Sequence, residues 1–392
     1  MELYRHRGLS PPMPHQRVLV TGATGIVGCE LVRTLLRSAN PPQIFALLRG
    51  SHDEVEKKRR WICEWSGVER ERADCLVALR GEMTLPGLGV GAQDQAVARS
   101  VTGILHAGAV TRFDQTPEAA RINNVVSARN ILEHARRCPQ LTRIGVVSTV
   151  FVAGRRGGTI READLDLQAH FNNEYERSKA HAEYEARLSM RKLPIDVYRL
   201  SIVVGRRMDG HISRLSGIYP VFRLFHEGLL AMFPGSPGQR VDLIPADFAA
   251  EAVLHLFAGS TVPGVTYHVC AGPDRSFGLD EICPALDACF AADSAWRSRG
   301  QPLPLTVTAD VFAKFVSVVE LTGNPKLQHI IRQTRTLTQQ LEIAKTYDSH
   351  EFNRAIADSR TLQLGHVREW LPQIVAHGMA LGWQSPARYL AS

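Results

Sequence analysis

The sequence predicts an α/β fold, a doubly wound parallel sheet with a smaller substrate-binding subdomain and a helical C-terminal region. Three observations carry this expectation. Short Val-rich apolar runs recur between residues 17 and 205, segments of helical periodicity alternate with them, and the turn after the first run holds three glycines. Strands buried on both faces read as continuous apolar runs, and strand–helix alternation makes a parallel sheet covered on both sides. With 392 residues, 44% of them apolar, the chain can bury one large core or two.

The first strand is "RVLVTG" at 17–22, which ends at a glycine. Over 25–37, Ile26, Val27, Leu31, Val32, Leu35 and Leu36 share one helix face, and the Asn-Pro-Pro at 40–42 stops the helix. "QIFALLRG" gives a second strand ending near Arg49. Further strands are expected in "DCLVALRG" (74–81), "VTGILHAGA" (101–109), "TRIGVVST" (142–149) and "IDVYRLSIVVG" (195–205), with a helix over 119–137. Past residue 206 the strand candidates thin out. "ISRLSGIYPVFRLFHEGLLAMF" reads as an amphipathic helix interrupted by Pro220. "QRVDLIPADFAAEAVLHLF" reads as a strand and then a helix capped by Asp247, and "VTYHVC" (265–270) as one more strand. From 306 onward the pattern is helical. The expected division is a flexible segment 1–16, a cofactor-binding domain with the catalytic residues at 17–205, a substrate-binding part mixed with the last sheet elements at 206–305, and a helical region at 306–392.

Composition narrows the function classes. No run approaches the roughly 18 apolar residues of a spanning helix, and the N-terminus lacks the apolar core of a secretory signal, so a cytoplasmic chain is expected. Seven cysteines without a C-x-x-C pair suggest neither a disulfide framework nor a zinc site, and no metal is expected. Lys and Arg number 46 against 39 Asp and Glu, a net charge of +7 that favours anionic partners such as nucleotide phosphates, coenzyme A or an acidic carrier protein. The basic residues are scattered, and "EKKRRW" at 56–61 reads as a solvated helix face, so no nucleic-acid partner is expected.

"TGATGIVG" at 21–28 places Gly22, Gly25 and Gly28 between strand and helix. The spacing suits a tight turn, a close approach of backbone to pyrophosphate, and close packing of helix on strand, the Rossmann-type arrangement. The phosphates would sit at the helix N-terminus. At the end of the second strand Arg49 stands where an acidic residue would bind the ribose of NAD, which favours a 2′-phosphate and hence NADP(H) over NAD(H).

Ser148 and Thr149 end a predicted strand, and Tyr175 and Lys179 follow at i and i+4 on a predicted helix. Both therefore project from one face, where an ammonium can pull a phenol's pKa from about 10 toward neutrality for proton exchange with a carbonyl oxygen. A Y-x-x-x-K pair alone is common. The nucleotide turn, the strand-end hydroxyls and the Tyr–Lys pair together are far more restrictive.

These pieces resemble the extended short-chain dehydrogenase/reductase superfamily, and within it the branch of fatty acyl-CoA reductases, male-sterility proteins and thioester reductase domains. The resemblance rests on "TGATGIVG", "LLRG", "RGEMTLPGLG", "ILHAGAVTRFD", "VSTVFVAGRRGGTI", "YERSKAHAE", "YRLSIVVG" and "VDLIPADFAAEAV", over about 17–255. It implies a catalytic trio of Thr149, Tyr175 and Lys179, with Ser148 as the alternative to Thr149. It further implies Gly22, Thr24, Gly25, Ile26, Gly28 and Arg49 at the cofactor phosphates, Ala107 and Gly108 near the ribose, and Asn124 on the helix behind the site. In "HAGAVTRFD" Gly108 departs from the branch, which more often has Ala. The implied reaction is NADPH-dependent reduction of an acyl thioester, bound to coenzyme A or a carrier protein, to an aldehyde, which a second hydride could convert to an alcohol. Phe222, Phe225 and Met232, in a run of apolar side chains over 218–233, are candidates to line an acyl tunnel, or they pack this helix on the sheet. Arg206, Arg207, Arg223 and Arg240 are candidates for coenzyme A or phosphopantetheine, or each is a single surface charge. The alternatives are a reductase of a ketone or other oxidised carbon on a hydrophobic small molecule, a nucleotide-sugar epimerase or dehydratase, and a Rossmann protein that binds NADP without turnover. The superfamily contains many dimers, which makes a homodimer an expectation.

Overall fold

A computed structural model describes residues 16–235, 238–259, 262–359 and 361–386; the N-terminal segment expected to be flexible lies, up to residue 15, outside the described residues. Seven strands form one parallel sheet: β1 (Arg17–Thr21), β2 (Gln43–Leu48), β3 (Leu76–Arg80), β4 (Gly103–His106), β5 (Arg143–Thr149), β6 (Ile195–Leu200) and β7 (Thr266–Val269), in spatial order 3-2-1-4-5-6-7. The order reverses between β1 and β4, and this switch point opens a crevice at the carboxyl ends of the strands. The expected fold class is the observed one. Alternate residues feed two cores: Val18 and Val20 pack on one face of the sheet and Leu19 on the other, as do Ile44 and Ala46 against Phe45.

Helix α1 (Ile26–Arg37) follows β1 and packs against α2 (His52–Ser66) on one face. The other face carries α3 (Ser127–Ala135) and α4 (Glu174–Ser189). The helix expected over 119–137 is helical but contains a π turn at Arg121–Val126, directly before α3. Further on come α5 (Tyr219–His226) and α6 (Ala246–Ala258), the latter packed beside α1. Pro220 lies in the first turn of α5, where its missing N–H costs nothing, so it starts the helix instead of interrupting it. Asp247 does not cap α6; it lies inside the first turn and accepts from Arg207.

The apolar run expected as one strand at 195–205 divides at Ser201. Residues Ile195–Leu200 remain in the sheet, whereas Ile202–Val204 leaves it and pairs with Leu243–Pro245. Helices α7 (Leu279–Phe290), α8 (Ala309–Leu321), α9 (Pro325–Leu341) and α10 (Val367–Ala380) follow, with short helices at Ser294–Arg299 and His350–Ile356 between them. Two short parallel pairings tie this region back: Lys345–Tyr347 on Gly158–Ile160, and Leu305–Val307 on Met232–Pro234. Among the described residues no helix is long and apolar enough to cross a membrane, and no cluster of side chains could hold a metal ion.

Candidate active site

The glycine turn is built by close backbone contact. Gly22 has φ +70°, and a Cβ on it would lie 2.7 Å from the carbonyl of Ala107 and from the Cα of Gly108. A Cβ on Gly28 would lie 2.0 Å from Gly22 O. Glycine at both positions lets α1 and the loop after β4 close on the turn. Thr21 Oγ1 accepts from Gly108 N at 3.2 Å and bonds His106 Nδ1 at 2.8 Å, which fixes the two strand ends together. Burial, reinforced by the charge of Lys179, pushes His106 down to about 3, so the ring is neutral. Helix α1 starts from Gly25 with no side-chain cap and no acidic residue in its first turn. Its N–H groups and dipole therefore face the crevice as an anion site, and the partly exposed Thr24 and Ile26 flank it. This cradle fits a dinucleotide pyrophosphate. A Cβ on Gly108 would meet the Met83 thioether at 2.6 Å, so Met83 occupies the space that an alanine methyl would need.

Arg49 is exposed just past β2, and its side chain makes no hydrogen bond or ion pair among the described residues; Lys58 Nζ donates to its carbonyl at 2.9 Å. Asn124 was expected near the cofactor, and the structure uses it otherwise. It is buried in the π turn, donates to Ser178 Oγ (2.8 Å) and Val110 O (3.2 Å), and accepts from Val110 N (2.9 Å). Its donors and acceptor are spent on joining α4 to the loop after β4.

Helix α4 brings Tyr175 and Lys179 to the end of β5. Asn173 starts the helix, its Oδ1 accepting from Glu176 N at 3.0 Å. The Tyr175 and Thr149 hydroxyls face each other, and Phe113 meets the Tyr175 ring edge-on at 5.4 Å. Thr149 Oγ1 also accepts from Phe151 N at 3.2 Å. Buried Lys179 donates to Val147 O at 2.8 Å. Ser148 does not share the crevice: it points to the α3–α4 face with Ile144 and Val146 and donates to Glu183 at 2.8 Å. Of the two hydroxyls, Thr149 alone meets Tyr175, because successive strand residues face opposite sides.

The electrostatics differ from the expectation. Burial pushes the Tyr175 phenol up to about 12, with the Thr149 hydroxyl opposing and Glu176 adding. The Lys179 ammonium is directed at Val147 O, so desolvation outweighs it and the phenol stays protonated at neutral pH. Burial likewise lowers Lys179 to about 8, against the pull of Glu183.

The profile of the family described as "Male sterility protein" matches residues 20–253. The chain belongs to this family. It lies within the extended short-chain dehydrogenase/reductase superfamily, and it is an NAD(P)-dependent reductase of that type. Among its relatives, the non-canonical nonribosomal peptide synthetase FrzA of Cladobotryum sp is 28% identical over 87% of this chain and 34% of that protein. Fatty acyl-CoA reductase 1 of Xenopus laevis is 26% identical over 68% of this chain and 60% of that protein. The chain thus spans less than two thirds of either relative. The crystal structure of the terminal R domain from the myxalamid PKS-NRPS biosynthetic pathway superposes with a TM-score of 0.77 at 22% identity, covering 95% of this chain and 92% of that one.

In this member of the male sterility family, several residues expected to meet substrate serve the core. Phe222 and Phe225 are fully buried, Phe222 edge-on to Tyr219 and Phe225 edge-on to Phe290 and Trp296, so they pack α5 into the core. Met232 is half-buried in the short strand paired with Leu305–Val307. Arg206 is buried against Glu30 (2.8 Å) and stacked on Trp65, Arg207 pairs with Asp247 and Glu251, Arg240 bonds Ser276, and Arg223 lies 3.8 Å from Glu227. Acidic or polar partners within the protein thus engage all four. A cleft of about 660 Å³ opens past β7, between Cys270 to Arg275 and residues 346–364, and none of Thr149, Tyr175 or Lys179 lines it. Sequence reasoning missed His106, Phe113, Ser178 and Glu183. For Glu183 a signal existed: it lies eight residues past Tyr175, on the same helix face.

Proposed function

We propose that the chain is an NADPH-dependent reductase of acyl thioesters, carried on coenzyme A or on the pantetheine arm of a carrier protein, that releases the thiol and an aldehyde. The observation that carries this reading is the Thr149–Tyr175 hydroxyl pair at the end of β5, a protonated phenol at the same carboxyl edge of the sheet as the glycine turn after β1. The names of FrzA and of the fatty acyl-CoA reductase support a thioester substrate. Exposed Arg49 supports the 2′-phosphate of NADP. Residues 17–205 then supply the cofactor cradle and catalytic groups, and 206–305 the last sheet elements and the substrate side.

The turn from Gly22 to Gly28, with Ala107 and Gly108 packed against it, would hold a dinucleotide, which would supply the hydride. Thr149 donates a hydrogen bond to the thioester carbonyl oxygen, and Tyr175 gives that oxygen its proton as charge develops. Lys179, one helical turn from Tyr175, stabilises the resulting phenolate with its ammonium. The hemithioacetal then returns its hydroxyl proton to Tyr175 as the C–S bond breaks, and the departing thiolate takes a proton from water. The same groups suit a second reduction, from aldehyde to alcohol.

The test is NADPH oxidation with acyl-CoA thioesters of increasing chain length, with the products identified by mass spectrometry. Free thiol and aldehyde or alcohol are expected, and Tyr175→Phe should cut turnover by about 100-fold or more. Unchanged turnover in that variant would remove Tyr175 from the mechanism. Binding of NADPH without thioester turnover would favour a ketone-type substrate.

A further inference from the structure

Three consecutive residues of β5 are held by three successive turns of α4. Lys179 Nζ donates to Val147 O at 2.8 Å, Ser148 Oγ donates to Glu183 Oε2 at 2.8 Å, and the Thr149 hydroxyl meets that of Tyr175. Tyr175, Lys179 and Glu183 are four residues apart in turn, so they form one column on the helix. Glu183 is fully buried, and its carboxylate is satisfied from all sides. Arg199 Nη2 donates to Oε1 at 2.7 Å, Arg199 Nε reaches both oxygens at 3.1 and 3.0 Å, and Arg187 Nε reaches Oε1 at 3.0 Å. Arg199 is itself fully buried and also contacts His268 Nε2 at 3.0 Å and the carbonyl of Asp164. This anchored anion holds the one strand residue between those that touch Lys179 and Tyr175.

We propose that Glu183 is a positioning residue for the catalytic pair: held by Arg199 and Arg187, it fixes the strand end against the helix through Ser148, and its carboxylate stands one helical turn from Lys179. The proposal rests on the reading of Tyr175 and Lys179 as catalytic. Among the described residues, the groups coupled to Lys179 are Glu183 and the neutral His106 on β4, and Arg199 on β6 and Arg187 on α4 share the Glu183 charge. Lys179 is lowered to about 8 by burial, and Glu183 is what opposes the fall. Loss of that charge lowers Lys179 further, so the ammonium disappears at a lower pH.

The test compares Glu183→Gln, Glu183→Asp, Ser148→Ala and a Tyr175→Phe control, by pH profiles of NADPH oxidation with octanoyl-CoA. In Glu183→Gln, which keeps an acceptor for Ser148 but no charge, the alkaline limb of kcat/KM should move down by about one pH unit, with KM for NADPH within about twofold. Glu183→Asp should return the limb toward its original position. Ser148→Ala should leave the limb in place and lower kcat by about tenfold through loss of alignment. A folded Glu183→Gln protein with an unmoved limb overturns the counter-charge role. Should that variant fail to fold, Ser148→Ala decides, since an unchanged kcat overturns the proposal. Full activity in Tyr175→Phe would instead overturn the catalytic reading beneath it.

Discussion

Replacing Gly28 by alanine tests the glycine turn most directly. The added Cβ would lie 2.0 Å from Gly22 O, 2.6 Å from Gly22 C and 3.0 Å from the Cα of Ala23. All three are backbone atoms, so no flexible side chain can swing aside. Restoring ordinary contact needs α1 to retreat by more than an ångström, and α1 is packed on α2 and α6. Overpacking of this kind costs about 1–3 kcal/mol, and the rigid neighbours place Gly28→Ala at the upper end. The same retreat draws the helix N–H groups from the pyrophosphate position; losing one charge-assisted hydrogen bond, worth about 1.5–3 kcal/mol, raises the Kd for NADPH roughly tenfold to a hundredfold. Gly25→Ala is the control: its Cβ would meet only Gly22 O, at 3.2 Å, and the helix-capping loss is about 1 kcal/mol or less. Urea unfolding without cofactor and a fluorescence titration with NADPH measure the two effects separately. If Gly28→Ala unfolded within about 0.5 kcal/mol of the parent and bound NADPH equally well, the close approach inferred here would be wrong.

Two further outcomes follow from single side chains. Arg49→Ala should raise the KM for NADPH about tenfold more than that for NADH, since one charged contact to the 2′-phosphate is lost; equal effects would refute the assignment. His106 is held at about 3 in the folded protein against an ordinary 6.5, so below pH 6.5 the unfolded chain binds the proton and the folded chain does not. Stability should therefore fall on acidification, by up to about 1.4 kcal/mol per pH unit from this group, and His106→Asn should flatten the slope measured by urea unfolding between pH 7 and 5.

Much of the fold was legible because parallel strands buried on both faces advertise themselves as apolar runs, and "RVLVTG" followed by an amphipathic helix admits few other readings. The break at Ser201 was not legible. "RLSIVVG" stays apolar through the point where the chain leaves the sheet, and only pairing with residues 243–245 separates the two halves. The π turn was hidden for a similar reason, since one extra residue per turn changes no composition. Phe222 and Phe225 repeat at helical spacing whether a helix faces a tunnel or a core, so period alone could not decide. For Arg206 the missing fact was distance: its partner Glu30 lies 176 residues away in sequence.

The site shows the same division between type and environment. Spacing placed Tyr175 and Lys179 on one helix face, yet the direction of the Tyr175 shift depends on burial and on where the ammonium points. An ammonium spent on Val147 O leaves the phenol protonated, which suits a proton donor more than the pre-formed phenolate that spacing alone suggested. The charge of Lys179 then matters after proton transfer, when a phenolate must be stabilised in a buried place. On the proposed reading, that division of labour gives the buried carboxylate one turn beyond Lys179 a role. Burial lowers Lys179 to about 8 and Glu183 opposes that fall, so under the proposed roles loss of the Glu183 charge narrows the alkaline range of the site.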